Sequence, residues 1–181
     1  MSATDKKIDA LTKKEAAAVL DQGHKRICTL VDKLSPSAAT KRATIGGGEW
    51  SAKDLLGHLT SWQEHTMEAL SAWERGEPAP VDAALKSKRG VDALNAKTFM
   101  QKAAMTWTDV RDQYDEIHSA LVKRLKKIAD DAWNAPPSTG GATSLGERVG
   151  GILAGPGGPF THDDAHLDDL RSYVEEATRN S

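Results

Sequence analysis

Only one cysteine, Cys28, occurs in the 181 residues. An intramolecular disulfide and a two-thiolate zinc site are therefore excluded, and any resident metal is expected to be held by nitrogen or oxygen. Charge of one sign is also lacking, since 24 Lys and Arg stand against 26 Asp and Glu for a net charge of −2. That balance argues against a nucleic-acid groove or a basic membrane face, both of which rely on clustered positive charge. Long apolar runs are missing too. The longest aliphatic stretch, Ala16 to Leu20, falls far short of the ~20 residues a membrane span requires. The start, MSATDKKIDALTKKE, has no apolar segment after its charges and so does not read as a signal peptide. The expectation is a single domain over residues 1–181, cytoplasmic, with neither nucleic acid nor membrane as partner.

β-branched aliphatics are scarce as well: 8 Val and 6 Ile against 26 Ala and 16 Leu. Good helix formers dominate, so the expected class is all-α. Periodicity supplies the elements. A first amphipathic stretch runs from about Thr12 to Leu34 and is ended by Ser35-Pro36. A second opens at Ser51, where Asp54 three residues on has capping-box spacing. Leu55, Leu59, Trp62, Thr66, Leu70 and Trp73 then mark one buried stripe as far as Gly76. A weaker helix is expected from about Val91 to Ala104, after Gly90. Trp107, Val110, Tyr114, Ile117, Leu121, Leu125 and Ile128 mark the clearest helix, whose charged residues form a solvated face. A last helix is expected near Thr161, with Asp164 again at capping-box spacing and His166, Leu170, Val174 and Ala177 on one face. Together these make a four-helix bundle, with long connections at 76–90 and 134–160.

Eight of the 15 glycines lie between Gly140 and Gly158. No phosphate cradle is implied: neither GxGxxG nor P-loop spacing occurs, no lysine follows, and Pro156 and Pro159 remove amides. A loop with a short helical turn near Leu145–Leu153 is expected, and a lid over a neighbouring site is its functional variant.

Of the six histidines, His162 and His166 are four apart, the spacing by which one helix offers two imidazoles to one metal. The stripe that continues through Leu170 and Val174 aims them inward, and His58 lies on the buried stripe of the second helix. Burying several neutral imidazoles unpaired costs on the order of 1–3 kcal/mol each, a cost a shared metal removes. His65, seven residues after His58, could line a pocket or act behind the ligands, but reads first as a boundary residue. His24 and His118 read as surface residues. Trp62, one turn after His58, is expected to wall a pocket.

The block Trp50-Ser51-Ala52-Lys53-Asp54-Leu55-Leu56-Gly57-His58-Leu59, followed by Trp62, resembles the WSxxDLLxHL entry to the second helix of DinB-like proteins. Residues Val110 to Trp133 and the His162-to-Leu170 segment HDDAHLDDL continue the resemblance in the same order. The subfamilies it is similar to are the ClbS/DfsB proteins and the N-terminal domain of mycothiol-dependent maleylpyruvate isomerase. The resemblance implies a four-helix bundle in which His58, His162 and His166 bind a divalent metal. Zinc is the first choice, and nickel, copper and iron also suit three imidazoles. It further implies a hydrolase or thiol S-transferase acting on a reactive small molecule, with a low-molecular-weight thiol as a cosubstrate and a homodimeric assembly. The alternative it implies is a ClbS-like self-resistance or sequestering protein that holds a small molecule in the bundle cavity without metal chemistry.

Overall fold

The computed structural model describes residues 11–46 and 49–179. The reading of the chain's start rests mainly on residues 1–10, which lie outside the described residues. Among the described residues the structure is helical and without strands. Its extended pairings are two isolated bridges, Ile45 with Trp50 and Gly155 with Gly158.

Helix α1, Lys13–Val31, is started by a reciprocal cap between Thr12 and Glu15. It ends three residues earlier than the apolar pattern suggests. Pro36 confines Ser35 to extended backbone, and the Ser35 hydroxyl then caps a separate short helix, α2, Pro36–Thr40. Helix α3, Ala52–Glu74, begins with the Ser51–Asp54 capping box read from the sequence. Leu55, Leu59, Trp62, Thr66, Leu70 and Trp73 on its stripe are all buried.

The connection after α3 contains a further short helix, α4, Pro80–Ala84, and then α5, Lys88–Lys102. The latter starts before Gly90 rather than after it, because the Ser87 hydroxyl accepts from Gly90 N at 3.0 Å. Gly90 is required by proximity: a Cβ there would lie 2.4 Å from the Ala84 carbonyl oxygen. Helix α6 runs from Trp107 to Lys127, and α7 spans Asp130–Asn134. The glycine-rich segment holds α8, Leu145–Ile152, opened by a Ser144–Glu147 box. The last element begins as a 3-10 turn, His162–His166, and continues as α9, Leu167–Arg179.

Helix α3 packs most extensively on α6, while α1 lies against α6 and α9 and α5 against α3. One part of the core gathers Trp73, Trp133, Phe160, Val149 and Leu121. The other gathers Ile27, Leu55, Tyr114 and Leu170. On α3, His58 falls between Leu55 of the second group and Trp62 of the first. A knot at the far end of α3 fixes α8. Asp82 accepts from Trp73 Nε1 and Arg148 Nη2, each at 2.9 Å, and the Arg148 guanidinium lies 4.0 Å over the Trp73 ring. Burial alone would raise the Asp82 carboxyl, but hydrogen bonds from Trp73, Ala79 and Arg148 outweigh it and hold it below its ordinary range.

Candidate metal centre

Helix α3 carries His58 inward, and the 3-10 turn carries His162 and His166 back against it. The turn is set by the loop before it. Thr161 does not cap the turn with Asp164 as its spacing suggests: the Thr161 hydroxyl donates to the Gly158 carbonyl at 2.7 Å, and no side chain caps the first turn. His162 N donates instead to the Leu153 carbonyl at 3.0 Å, so the end of α8 positions this histidine. Gly155 makes the close approach possible, since a Cβ there would meet the Thr161 carbonyl oxygen at 2.2 Å.

The three rings form a nearly equilateral triangle, with centroids 5.1, 5.2 and 5.4 Å apart. One ligand nitrogen from each lies within 4.8 Å of the other two. His58 Nε2 and His162 Nε2 are 3.3 Å apart, and tetrahedral bonds of about 2.05 Å place two nitrogens about 3.3 Å apart. Burial keeps these rings neutral. It pushes the His58 imidazole down to about 2, with further lowering from His162 and His166. It pushes His162 down to about 4 and lowers His166 as well. Three neutral imidazoles converging without a carboxylate among them are a donor set that suits a borderline divalent cation. The residues present fit such an ion.

The centre opens into a pocket of about 390 Å3 lined by Trp50, Trp62, Val91, Asn95 and Ile152 beside the histidines. Trp62 Nε1 donates to Asn95 Oδ1 at 3.0 Å, which pins the amide at the pocket wall. Gly151 and Ala154 from the glycine-rich segment also line it. That segment is therefore a wall built on α8. His65 is not among the lining residues: its ring touches Trp62 edge-on and its Nδ1 faces Glu68 at 3.9 Å.

Sequence reasoning missed Trp50, Asn95 and Asp163. Trp50 could have been found as the apolar residue just before the N-cap of α3, whereas Asn95 has no local signal. Asp163 is buried and lies between His162 and His166 in sequence, but its carboxylate turns the other way and accepts from the Tyr114 hydroxyl at 2.7 Å. Burial, with some help from Asp164, raises the Asp163 carboxyl to about 6 against the lowering effect of Tyr114. The surface reading of His24 and His118 does not hold. His118 is 6% exposed and the His24 side chain 16%, because each stands at the edge of its apolar stripe where α1 and α6 meet. Their rings stack at 3.9 Å.

Solved structures share this fold. An uncharacterised protein from Escherichia coli UTI89 superposes with a TM-score of 0.68 at 14% identity, covering 93% of this chain and 94% of that one. The colibactin self-resistance protein ClbS, in complex with a dsDNA, gives 0.66 at 12% over 93% and 94%. DfsB, a sibling lethal factor precursor, gives 0.63 at 9% over 94% and 95%. No curated protein matches the sequence. The dsDNA held by ClbS overturns the exclusion of nucleic acid drawn from charge balance. A net charge of −2 is a sum over the chain and is silent about local clustering, such as Arg124, Lys126 and Lys127 in the last turn of α6. No described helix is long and apolar enough to cross a membrane. Residues 19–154 match the model of the DinB superfamily, to which this chain belongs.

Proposed function

We propose that the chain binds a divalent metal through His58, His162 and His166 and acts as a hydrolase or thiol S-transferase on a reactive small molecule. The observation that carries this reading is the convergence of three imidazole nitrogens within 4.8 Å at a pocket of small-molecule size. Three protein nitrogens leave a fourth tetrahedral position open, the pattern of catalytic rather than structural zinc. When bound, such an ion supplies Lewis-acid polarisation and eases deprotonation of a water or a low-molecular-weight thiol. The chain's own residues do the rest. Trp50 and Trp62 exclude water and offer flat faces to an apolar substrate. Asn95, held by Trp62, offers a polar group that orients it.

A second reading is ClbS-like self-resistance by sequestration, in which the pocket holds a small molecule without turnover. It is favoured by the absence of any carboxylate or lysine among the described residues that line this pocket.

Elemental analysis of protein purified without an affinity tag tests the first reading. His58→Ala is expected to lose one equivalent of metal and the stabilisation that goes with it. Wild-type protein without metal, together with unchanged stability of His58→Ala, overturns it. Single-turnover reaction of the metal-loaded protein with an activated ester, or with an aryl halide plus a low-molecular-weight thiol, separates the two readings, because any chemical change excludes pure sequestration.

A further inference from the structure

A second cluster of ligand-type side chains lies where α1 meets α6. His24 and Cys28 are four residues apart on α1 and so stand one above the other on one face. Asp115, on α6, reaches both. His24 Nε2 is 2.9 Å from Asp115 Oδ1 and 3.4 Å from Cys28 Sγ, and Cys28 Sγ is 3.7 Å from Asp115 Oδ1. With zinc bonds of about 2.0 Å to nitrogen and oxygen and 2.3 Å to sulfur, tetrahedral angles set the corresponding edges at roughly 3.3, 3.5 and 3.5 Å. Each separation therefore needs to change by about 0.4 Å or less for the three atoms to surround one ion.

We propose that His24, Cys28 and Asp115 form a second divalent-metal site, with solvent at the fourth position and a preference for zinc-like ions of borderline softness. The mixed nitrogen, sulfur and oxygen set disfavours magnesium and calcium, which take oxygen ligands. Charge also balances. Arg111 is ion-paired to both Asp115 and Asp32. The Cys28 thiolate, Asp115 and Asp32 together carry three negative charges against the one positive charge of Arg111, and a divalent ion neutralises the remainder. The Asp115 side chain is half exposed, which gives a hydrated ion a way in. The His24 ring is held in plane by His118, stacked at 3.9 Å and 10° and itself bonded to Asp21 at 2.9 Å.

In the metal-free chain the three groups share a hydrogen-bond network, which an entering ion must replace. Burial, reinforced by His118, pushes the His24 imidazole down to about 4, so the ring is neutral at neutral pH, and the hydrogen that Nε2 donates to Asp115 must move to Nδ1 before Nε2 ligates. Burial pushes the Cys28 thiol up to about 12. Binding therefore breaks the S–H bond as the metal–sulfur bond forms, the proton passes to buffer, and nothing is oxidised or reduced. A lone thiol excludes a two-thiolate site but not this mixed one.

Cobalt(II) titration of the chelator-stripped, tag-free full chain tests the proposal. A near-ultraviolet thiolate-to-cobalt charge-transfer band is expected to grow to one equivalent, because Cys28 is the only thiol. Cys28→Ser is expected to abolish the band. Asp115→Asn and His24→Gln, with unchanged far-ultraviolet circular dichroism, are expected to weaken the binding that it reports by tenfold or more. His58→Ala is expected to leave the band intact while lowering the cobalt bound from two equivalents to one. A folded wild-type chain without the band overturns the proposal, as does a band whose midpoint Asp115→Asn and His24→Gln leave unmoved. The band with a single equivalent of cobalt bound, unchanged in His58→Ala, upholds this site and counts against the three-histidine reading alone.

Discussion

Asp163 reaches Tyr114 only because α1 gives way to it. Gly23 is buried at the point of approach, and a Cβ there would lie 3.1 Å from Asp163 Cβ. The residue that weakens α1 as a helix is thus the one that lets the 3-10 turn close on it. Tyr114 has the only hydroxyl bonded to this carboxyl among the described residues. Tyr114→Phe keeps the ring in the core but leaves the carboxyl buried without its donor. A loss of about 1.5–3 kcal/mol is expected, the range for hydrogen bonds to charged groups, measured by urea unfolding of the chelator-treated protein. A loss under about 0.5 kcal/mol would show that water replaces the phenol. Neither residue was legible as a pair in the sequence. Tyr114 falls on an apolar stripe and reads as core, while Asp163 adjoins other acids and reads as exposed. What joins them is the docking of one element on another, which no local pattern encodes.

At the scale of elements, two glycines of α8 behave in opposite ways. A Cβ on Gly146 would penetrate the buried Trp133 indole at 2.5 Å, whereas one on Gly151 meets nothing within 4 Å. Replacing glycine by alanine in a helix gains roughly 1 kcal/mol, but overpacking a filled core costs about 1–3 kcal/mol. Gly146→Ala is therefore expected to lower the melting temperature and Gly151→Ala to raise it, as read by thermal unfolding monitored by circular dichroism. The reverse order would mean that Trp133 is not held where it lies. Most elements were legible. Ser51 and Asp54 start α3 where their spacing says, because the cap and the stripe it opens agree. Thr161 and Asp164 have the same spacing and make no cap. Their backbone is dictated by the Gly155–Gly158 turn, and the threonine hydroxyl is already engaged there. Spacing offers a cap, and the approach of the preceding chain decides whether it forms. The burial of His24 and His118 was hidden for a related reason: each helix alone leaves its histidine at a margin, and only the pairing of α1 with α6 covers both.

For the whole molecule, protonation and folding are coupled through these buried groups. His24 and His162 sit near 4 and His58 near 2 in the fold, against about 6.5 when unfolded. Each contributes stability that is complete above about 6.5 and is lost as pH falls toward the folded value. Asp163 acts in the opposite sense: its carboxyl is raised to about 6, so its contribution is present at low pH and lost as pH rises through about 6. Near pH 5 these three histidines, joined by His65, His118 and His166, which burial also lowers, outnumber the one acid, so unfolding of the metal-free chain should take up about two protons or more. Urea unfolding of chelator-treated protein from pH 7 to pH 5 is expected to show falling stability with that slope. A flat profile would mean that the imidazoles are already charged in the folded state.

His58 and His162 meet across 104 residues of chain. On the proposed reading, an ion shared between them fastens α3 to the C-terminal segment only while the molecule is folded, unlike a disulfide, which also restrains the unfolded chain. Its contribution tracks the free ion by mass action, about 2.7 kcal/mol at a hundredfold excess over Kd. On the proposed reading, a chain with a single thiol has an adjustable fastener in place of a permanent one. Its turnover by proteolysis slows when the ion is plentiful and quickens when it is scarce, so its abundance becomes a gauge of metal supply.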